Sequence, residues 1–241
     1  MTPGRVAVLG AGSWGTTLAH LLAAKGASVC LWSHNAQVAE QIRSEHVNRL
    51  YLDGIPLPAS LRVTTELAEA LADAEAAVCA VPSHALREVL ERARVHVPRD
   101  VLWVNAVKGL EVDTLLTPAQ ITRDVLPHAE PVALSGPSFA REVAEGHPTT
   151  VVVACPDPAR AAAAQRLLHA PHLRVYTNAD RLGVELGGAL KNVMAIAAGI
   201  AEGLGYGHNT RAALITRGLA EMTRLGVAMG AQALTFAGLA G

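Results

Sequence analysis

Six residues, Gly10-Ala11-Gly12-Ser13-Trp14-Gly15, constrain this chain more than any other stretch. They lie between a short apolar run, Arg5 to Leu9, and a helical pattern through Thr17, Leu18, Leu21, Leu22 and Lys25. Gly26 stops that pattern, and Ser28 to Trp32 forms a second strand-like run. A bare G-x-G-x-x-G is weak, but between a strand and a helix inside a βαβ unit it is a dinucleotide-binding fingerprint. Gly10 permits the tight turn, Gly12 lets the backbone approach a pyrophosphate, and Gly15 lets the helix pack on the strand. The free N–H groups and positive dipole end of the helix then face the phosphates.

The same alternation continues. Ala76–Val81, Val101–Val107, Pro131–Ser135, Thr149–Ala154 and Leu173–Thr177 read as further strands. Helices are expected from Ser83, as cap, to about Arg92, from Arg141 to Glu145, and from Pro158 to His169. This is a doubly wound α/β sheet, whose ligands bind outside the carboxyl ends of the strands. Lys108 directly follows one such strand, and Ser138 stands in the Gly136-Pro137-Ser138 turn after another. Both are placed where a substrate or phosphate would sit. After the second strand, Trp32-Ser33-His34-Asn35 carries no carboxylate for ribose hydroxyls. Ser33 and His34 could instead donate to a 2′-phosphate, which leans the cofactor towards NADP.

Composition narrows the partners. Of 241 residues, 51% are hydrophobic and 17% charged, enough for one large α/β domain or one with a small second. Aromatics make up only 3%, which argues against base-stacking platforms, and a net charge of −1 without a basic run argues against nucleic acid or an anionic membrane. Cys30, Cys79 and Cys155 match no metal spacing, fall in apolar runs and fit a reducing, cytosolic setting. There is no signal-peptide layout, and the most apolar helical stretch is broken by Glu185, Lys191 and Glu202, so no membrane span is expected.

Past Asp180 the pattern changes to two long helical segments, about Arg181–Leu204 and Thr210–Met229, around a glycine-punctuated loop. The division expected is a Rossmann domain at 1–180 and an all-α domain at 181–241. Within the first segment, Lys191 is one cation among small and apolar residues, with Asn192 beside it. Desolvation there would lower its pKa and suit it to proton transfer; a lysine snorkelling to the surface is the other reading.

The stretches GAGSWGT, LWSHN, VPSH, VKGLE, SGPSFAREVAEGHPT and GVELGGALKNVMAIAAGIAEGLGYGHNTRAALITRGLAEM, in that order, resemble the bacterial-type NAD(P)-dependent glycerol-3-phosphate dehydrogenases. The resemblance implies reversible hydride transfer between NAD(P)H and dihydroxyacetone phosphate, giving sn-glycerol 3-phosphate for phospholipid synthesis. It implies that Ser13, Trp14 and His34 contact the cofactor, with Ala140 against it, and that Lys108 touches cofactor and substrate. Gly136 and Ser138 would hold the substrate, and Lys191 would be the proton acceptor. The family pattern continues beyond the TFAGLAG at 235–241, so the chain resembles a C-terminally shortened member with a partial helical domain. Phe236, Leu234, Leu239 and the Thr210–Met229 helix would then be left as an apolar patch favouring association, as in a homodimer, or fraying. Two alternatives stay open: a related hydroxy-acid dehydrogenase, and a nucleotide-binding fragment without turnover.

Overall fold

A computed structural model of the chain describes residues 4–239. In chain order the elements are β1 (Arg5–Leu9), α1 (Ser13–Ala24), β2 (Ser28–Trp32), α2 (Ala36–Glu45), α3 (Arg49–Leu52), β3 (Arg62–Thr64), α4 (Leu67–Leu71) and β4 (Ala76–Cys79). A 3-10 turn at Ser83–Ala85 leads into α5 (Leu86–Ala93), followed by β5 (Leu102–Asn105), α6 (Pro118–Val125), β6 (Val132–Ser135), α7 (Ala140–Ala144), β7 (Thr149–Ala154), α8 (Pro158–Leu168) and β8 (Leu173–Asn178). Helices α9 (Arg181–Gly203), α10 (His208–Ala228) and α11 (Ala233–Phe236) close the described chain.

The eight strands form one sheet in the order β3-β2-β1-β4-β5-β6-β7-β8. This is a Rossmann-like order extended by two strands. Neighbours are parallel except β6 and β7, which pair antiparallel through Ala133–Ala154, Leu134–Val153 and Ser135–Val152. Strands covered on both faces by helices are apolar throughout, because neither face meets water. β1 shows the division: Val6 and Val8 enter the core on one face, Ala7 and Leu9 the core on the other. The period-2 alternation of a strand places them so.

Sequence and structure differ in places. Ser83 does not cap a helix; it opens the 3-10 turn with no side-chain capping bond, and α5 starts three residues later. The short β3 and the helices α2, α3, α4 and α6 lie in stretches the sequence reading left open. Expected strand ends also overshoot: Val81 and Val107 lie beyond β4 and β5, in the loops that face the cavity described below.

The reversal at β7 dictates how the helical layer attaches. Because β7 and β8 run opposite to β6, the chain leaves β8 at the N-terminal end of β6. Arg181, at the start of α9, donates to the Pro131 carbonyl at 2.7 Å and pairs with Glu130. From there α9 climbs beside β6, and Gly188 lies so close to Ser135 that a Cβ on it would stand 2.7 Å from the serine Oγ. Leu186, Met222, Ala231 and Phe236 form the small core between α9, α10 and α11, so the expectation of an exposed Phe236 is corrected: its ring is fully buried there, Leu239 packs partly against the sheet core, and Leu234 is the exposed member. By length and composition α9 would pass for a membrane span. Its Gly183–Gly188 segment is nevertheless buried inside this fold, and it carries Glu185 and Lys191.

Glu185 couples the two layers. It is buried at 7% exposure, and its Oε1 accepts from the Ala119 N–H at 2.8 Å, in the first turn of α6. Burial pushes its carboxyl up to about 7, against the hydrogen bonds of Thr117 and Ala119 and the charge of Arg181. The folded chain therefore holds a proton that the unfolded chain releases near pH 4.5. This contribution to stability is complete below that value and is lost as pH rises through about 7. E185Q keeps an acceptor for Ala119 and removes the titration. Its thermal midpoint is expected to match wild type near pH 4.5 and to exceed it at pH 8, by an effect on the order of 3 kcal/mol. Parallel melting profiles for the two proteins from pH 4.5 to 8 would rule this out.

Candidate active site

The carboxyl ends of β1, β4 and β5 open onto a cavity of about 770 Å³. That is a volume typical of cofactor sites. Its floor is the turn between β1 and α1. Gly10 takes a φ of +112°, and a Cβ there would meet the Ala80 carbonyl at 2.9 Å. Gly15 packs against Gly10, where a Cβ would fall 1.8 Å from the Gly10 carbonyl oxygen. Gly12 is the opposite case, with no heavy atom within 4 Å of the Cβ it lacks, so its backbone faces open space. Helix α1 begins there with no side-chain cap and no acidic residue in its first turn. Its first N–H groups are left for an anion. The cavity, the bare helix end and the space over Gly12 fit a dinucleotide pyrophosphate.

Gly10, Gly12, Ser13, Trp14, His34, Lys108 and Ser138 all line this cavity. Gly15 lies under the loop, in helix–strand packing. Ala140 stands at the start of α7, where its carbonyl accepts from Thr17 Oγ1 at 3.1 Å, tying α7 to α1. The reading of Ser33 as a donor for a 2′-phosphate is corrected. Its hydroxyl is buried, donates to the Asn35 carbonyl at 2.9 Å and accepts from the Asn35 N–H at 3.2 Å.

The far end of the cavity is built around Lys108. The loop carrying it is fixed two ways. Arg87 grips Glu111 in a fork, Nε to Oε1 at 2.8 Å and Nη2 to Oε2 at 3.0 Å, and also reaches Asp124 at 2.6 Å. That guanidinium holds the Glu111 carboxyl down to about 2. Lys108 Nζ lies 3.5 Å from the Gly136 carbonyl, which also accepts from Ser138 Oγ at 3.4 Å. Burial lowers the Lys108 pKa.

Helix α9 brings Lys191 to the same region. Its amine donates to the Leu239 carbonyl at 3.4 Å. Burial first, and repulsion from Lys108 second, lower its pKa to about 8. Beside this pair the Ser135 hydroxyl is buried with no hydrogen-bond partner among the described residues. A buried, unpaired hydroxyl is costly unless something polar meets it. Two cations, a serine turn and an unpaired hydroxyl can hold a small anion and move a proton next to it. Among the described residues no cluster of three or more His, Cys, Asp or Glu side chains forms a metal site.

Tyr51, Glu88 and Arg92 are among the cavity residues that lay outside the sequence reading. Tyr51 comes from α3, which Asn48 docks against the glycine loop: Asn48 Nδ2 donates to the Ala11 carbonyl at 2.9 Å and to Thr16 Oγ1 at 2.8 Å. Arg92 comes from the end of α5, with its guanidinium 5.9 Å from the Trp32 ring centroid. The i,i+4 spacing of Glu88 and Arg92 was visible in the sequence, but not the direction that face takes.

Residues 5–161 match the family model described as NAD-dependent glycerol-3-phosphate dehydrogenase N-terminus, and residues 180–241 match its C-terminus model. A curated glycerol-3-phosphate dehydrogenase (NAD(P)+) of Geobacter sulfurreducens is 57% identical over 240 residues, covering 98% of this chain and 72% of the relative. The Geobacter metallireducens protein of that name is 55% identical over the same shares. A crystal structure of glycerol-3-phosphate dehydrogenase from Coxiella burnetii superposes with a TM-score of 0.93 at 40% identity, covering 99% of this chain and 73% of that one.

Proposed function

Because this chain belongs to the NAD-dependent glycerol-3-phosphate dehydrogenase family, we propose that it interconverts dihydroxyacetone phosphate and sn-glycerol 3-phosphate with NAD(P)H or NAD(P)+. The observation that carries the reading is Lys108 at one end of a cavity floored by a dinucleotide loop, with the Lys191 amine, outside the cavity lining, near enough to feel its charge. The nicotinamide, when bound, exchanges a hydride with C2 of the three-carbon phosphate. The loop from Gly10 to Gly15, with Ser13 and Trp14, seats the pyrophosphate, and His34 lies at the adenosine end. Gly136, Ser138 and Lys108 hold the substrate, and Ala140 borders the nicotinamide end. In reduction, Lys191 in its ammonium form gives its proton to the oxygen on C2. In oxidation, the neutral amine takes that proton back. A pKa of about 8 keeps both forms available near neutral pH. Lys108, on the Gly136 carbonyl beside it, polarises the same oxygen.

We also assign residues 1–180 to cofactor binding and 181–241 to the catalytic helix layer. Three free, buried cysteines favour a cytoplasmic setting. Exposed Val193, Ile196, Ile200 and Ile215 favour self-association as a homodimer. The product would supply the glycerol phosphate backbone of phospholipids. The test is absorbance at the reduced-nicotinamide band with NADPH and with NADH. Oxidation is expected with dihydroxyacetone phosphate and not with unphosphorylated dihydroxyacetone. Tight cofactor binding without oxidation would overturn the activity and favour a nucleotide-binding role.

A further inference from the structure

The adenosine end of the cavity carries two basic side chains on one aromatic residue. Trp32, the last residue of β2, is 2% exposed, and its indole N–H donates to the Thr65 carbonyl at 2.8 Å. The ring is thus a fixed platform. The Arg92 guanidinium carbon lies 5.9 Å from its centroid, and the His34 ring is 6.5 Å away, tilted by 47°. Both face the same cavity as the glycine loop. The position after β2, where a carboxylate would select ribose hydroxyls, is occupied by Ser33 and His34, and the Ser33 hydroxyl is already used. The carboxylate lining this end is Glu88, one turn before Arg92 and 3.6 Å from its Nη1. That pair is solvent-exposed on both sides. Such a pair is weak, and a guanidinium has five N–H donors, so Arg92 can keep Glu88 and still grip a phosphate.

Resting on the dinucleotide reading above, we propose that Arg92, assisted by His34, binds a phosphate on the adenosine ribose and is a specificity-determining residue for NADP(H) over NAD(H). A guanidinium held over an aromatic ring presents a planar fork suited to bidentate contact with phosphate, and lysine does not replace it there. A monophosphate ester carries nearly two negative charges at neutral pH, more than Glu88 can offset through a mostly solvated contact.

The test is binding without turnover, on the full chain. NADPH, NADH, 2′,5′-ADP and 5′-AMP are titrated calorimetrically against wild type, R92A, R92K and E88Q. Wild type is expected to bind 2′,5′-ADP and NADPH at least about 10-fold tighter than 5′-AMP and NADH, the size expected for one charge-assisted contact. R92A is expected to lose about 10-fold for the two 2′-phosphate ligands and less than two-fold for the others. R92K should fall between the two, and E88Q should widen the preference. An unchanged NADPH-to-NADH ratio in R92A, or tighter NADH binding that E88Q weakens, would overturn the proposal while leaving the dinucleotide site intact. Failure of all four nucleotides to bind wild type would instead overturn the cavity assignment and the proposal with it. Equal melting temperatures for wild type and R92A exclude misfolding as the cause of a loss.

Discussion

Replacing Lys191 with methionine is expected to lower turnover by about 10³-fold, within the range that a positioned acid–base group supplies. NADPH affinity should change less than about two-fold, because the pyrophosphate loop and the adenosine end lie away from α9. Methionine keeps much of the apolar stem, so lost packing is a minor part of the effect. K191R is the sharper control. Arginine keeps the charge but cannot release a proton at working pH, so it should fail in both directions. The wild-type pH profile carries the sign. Glycerol phosphate oxidation needs the neutral amine and should rise through about pH 8, whereas dihydroxyacetone phosphate reduction needs the ammonium and should fall through the same region. A K191M protein that loses NADPH binding in proportion to turnover, or whose oxidation profile keeps that rise, would remove the acid–base role.

The second large effect is expected at Asp180. Its carboxylate is 7% exposed and holds three donors: the Gly183 N–H at 2.9 Å, the Gln232 N–H at 2.9 Å and Thr235 Oγ1 at 2.7 Å. It therefore caps the start of α9 and pins α11 to it. D180A leaves two backbone N–H groups and a hydroxyl without an acceptor. A buried donor stripped of its partner costs about 1–3 kcal/mol, and three neighbours do not add fully, so a loss of roughly 3–5 kcal/mol is expected. For a chain of this size that lowers the melting temperature by on the order of 10 °C. D180N, which keeps one acceptor oxygen, should recover part of it. A fall of less than about 2 °C in D180A would show that water replaces the carboxylate.

Much of this arrangement was legible in the residues because burial on both faces leaves a plain mark. β1, β2, β4, β5, β6 and β7 are largely apolar runs with glycine or proline punctuation, and helices between them follow from that, whereas the edge strand β8 alternates, with Arg174 and Tyr176 exposed. β3 was not legible: three residues, Arg62-Val63-Thr64, with the arginine exposed, carry too little pattern. α2 has only Val38, Ala39 and Ile42 buried along ten residues, so its apolar stripe is thin. α6 carried a usable signal. Thr117 and Gln120 form a capping box with proline at the first turn. Of the site, the glycine loop announces itself, because the backbone geometry demands glycines at fixed spacing. Lys108 and Ser138 follow from strand ends. Tyr51 and Arg92 do not, since each reaches the cavity only through a fold-level contact: Asn48 on the glycine loop, Arg92 on Trp32.

The reversed strand at β7 has a consequence for how this fold can vary over time. It starts α9 at the N-terminal end of β6, opposite the cavity, so Lys191 reaches the site only by climbing the length of β6. A helix gains 1.5 Å per residue and a strand about 3.3 Å, so the seven steps from Arg181 to Gly188 run the same roughly 10–13 Å as the four from Pro131 to Ser135. That stretch of helix is a ruler of fixed length. Loops around the cavity can lengthen or shorten with local effect. One residue gained or lost between Arg181 and Lys191 turns the amine by about 100° and shifts it a further 1.5 Å along the axis. Insertions and deletions are barred there by geometry rather than by any single side chain, which makes the spacing from arginine to lysine as much a part of the site as the lysine itself.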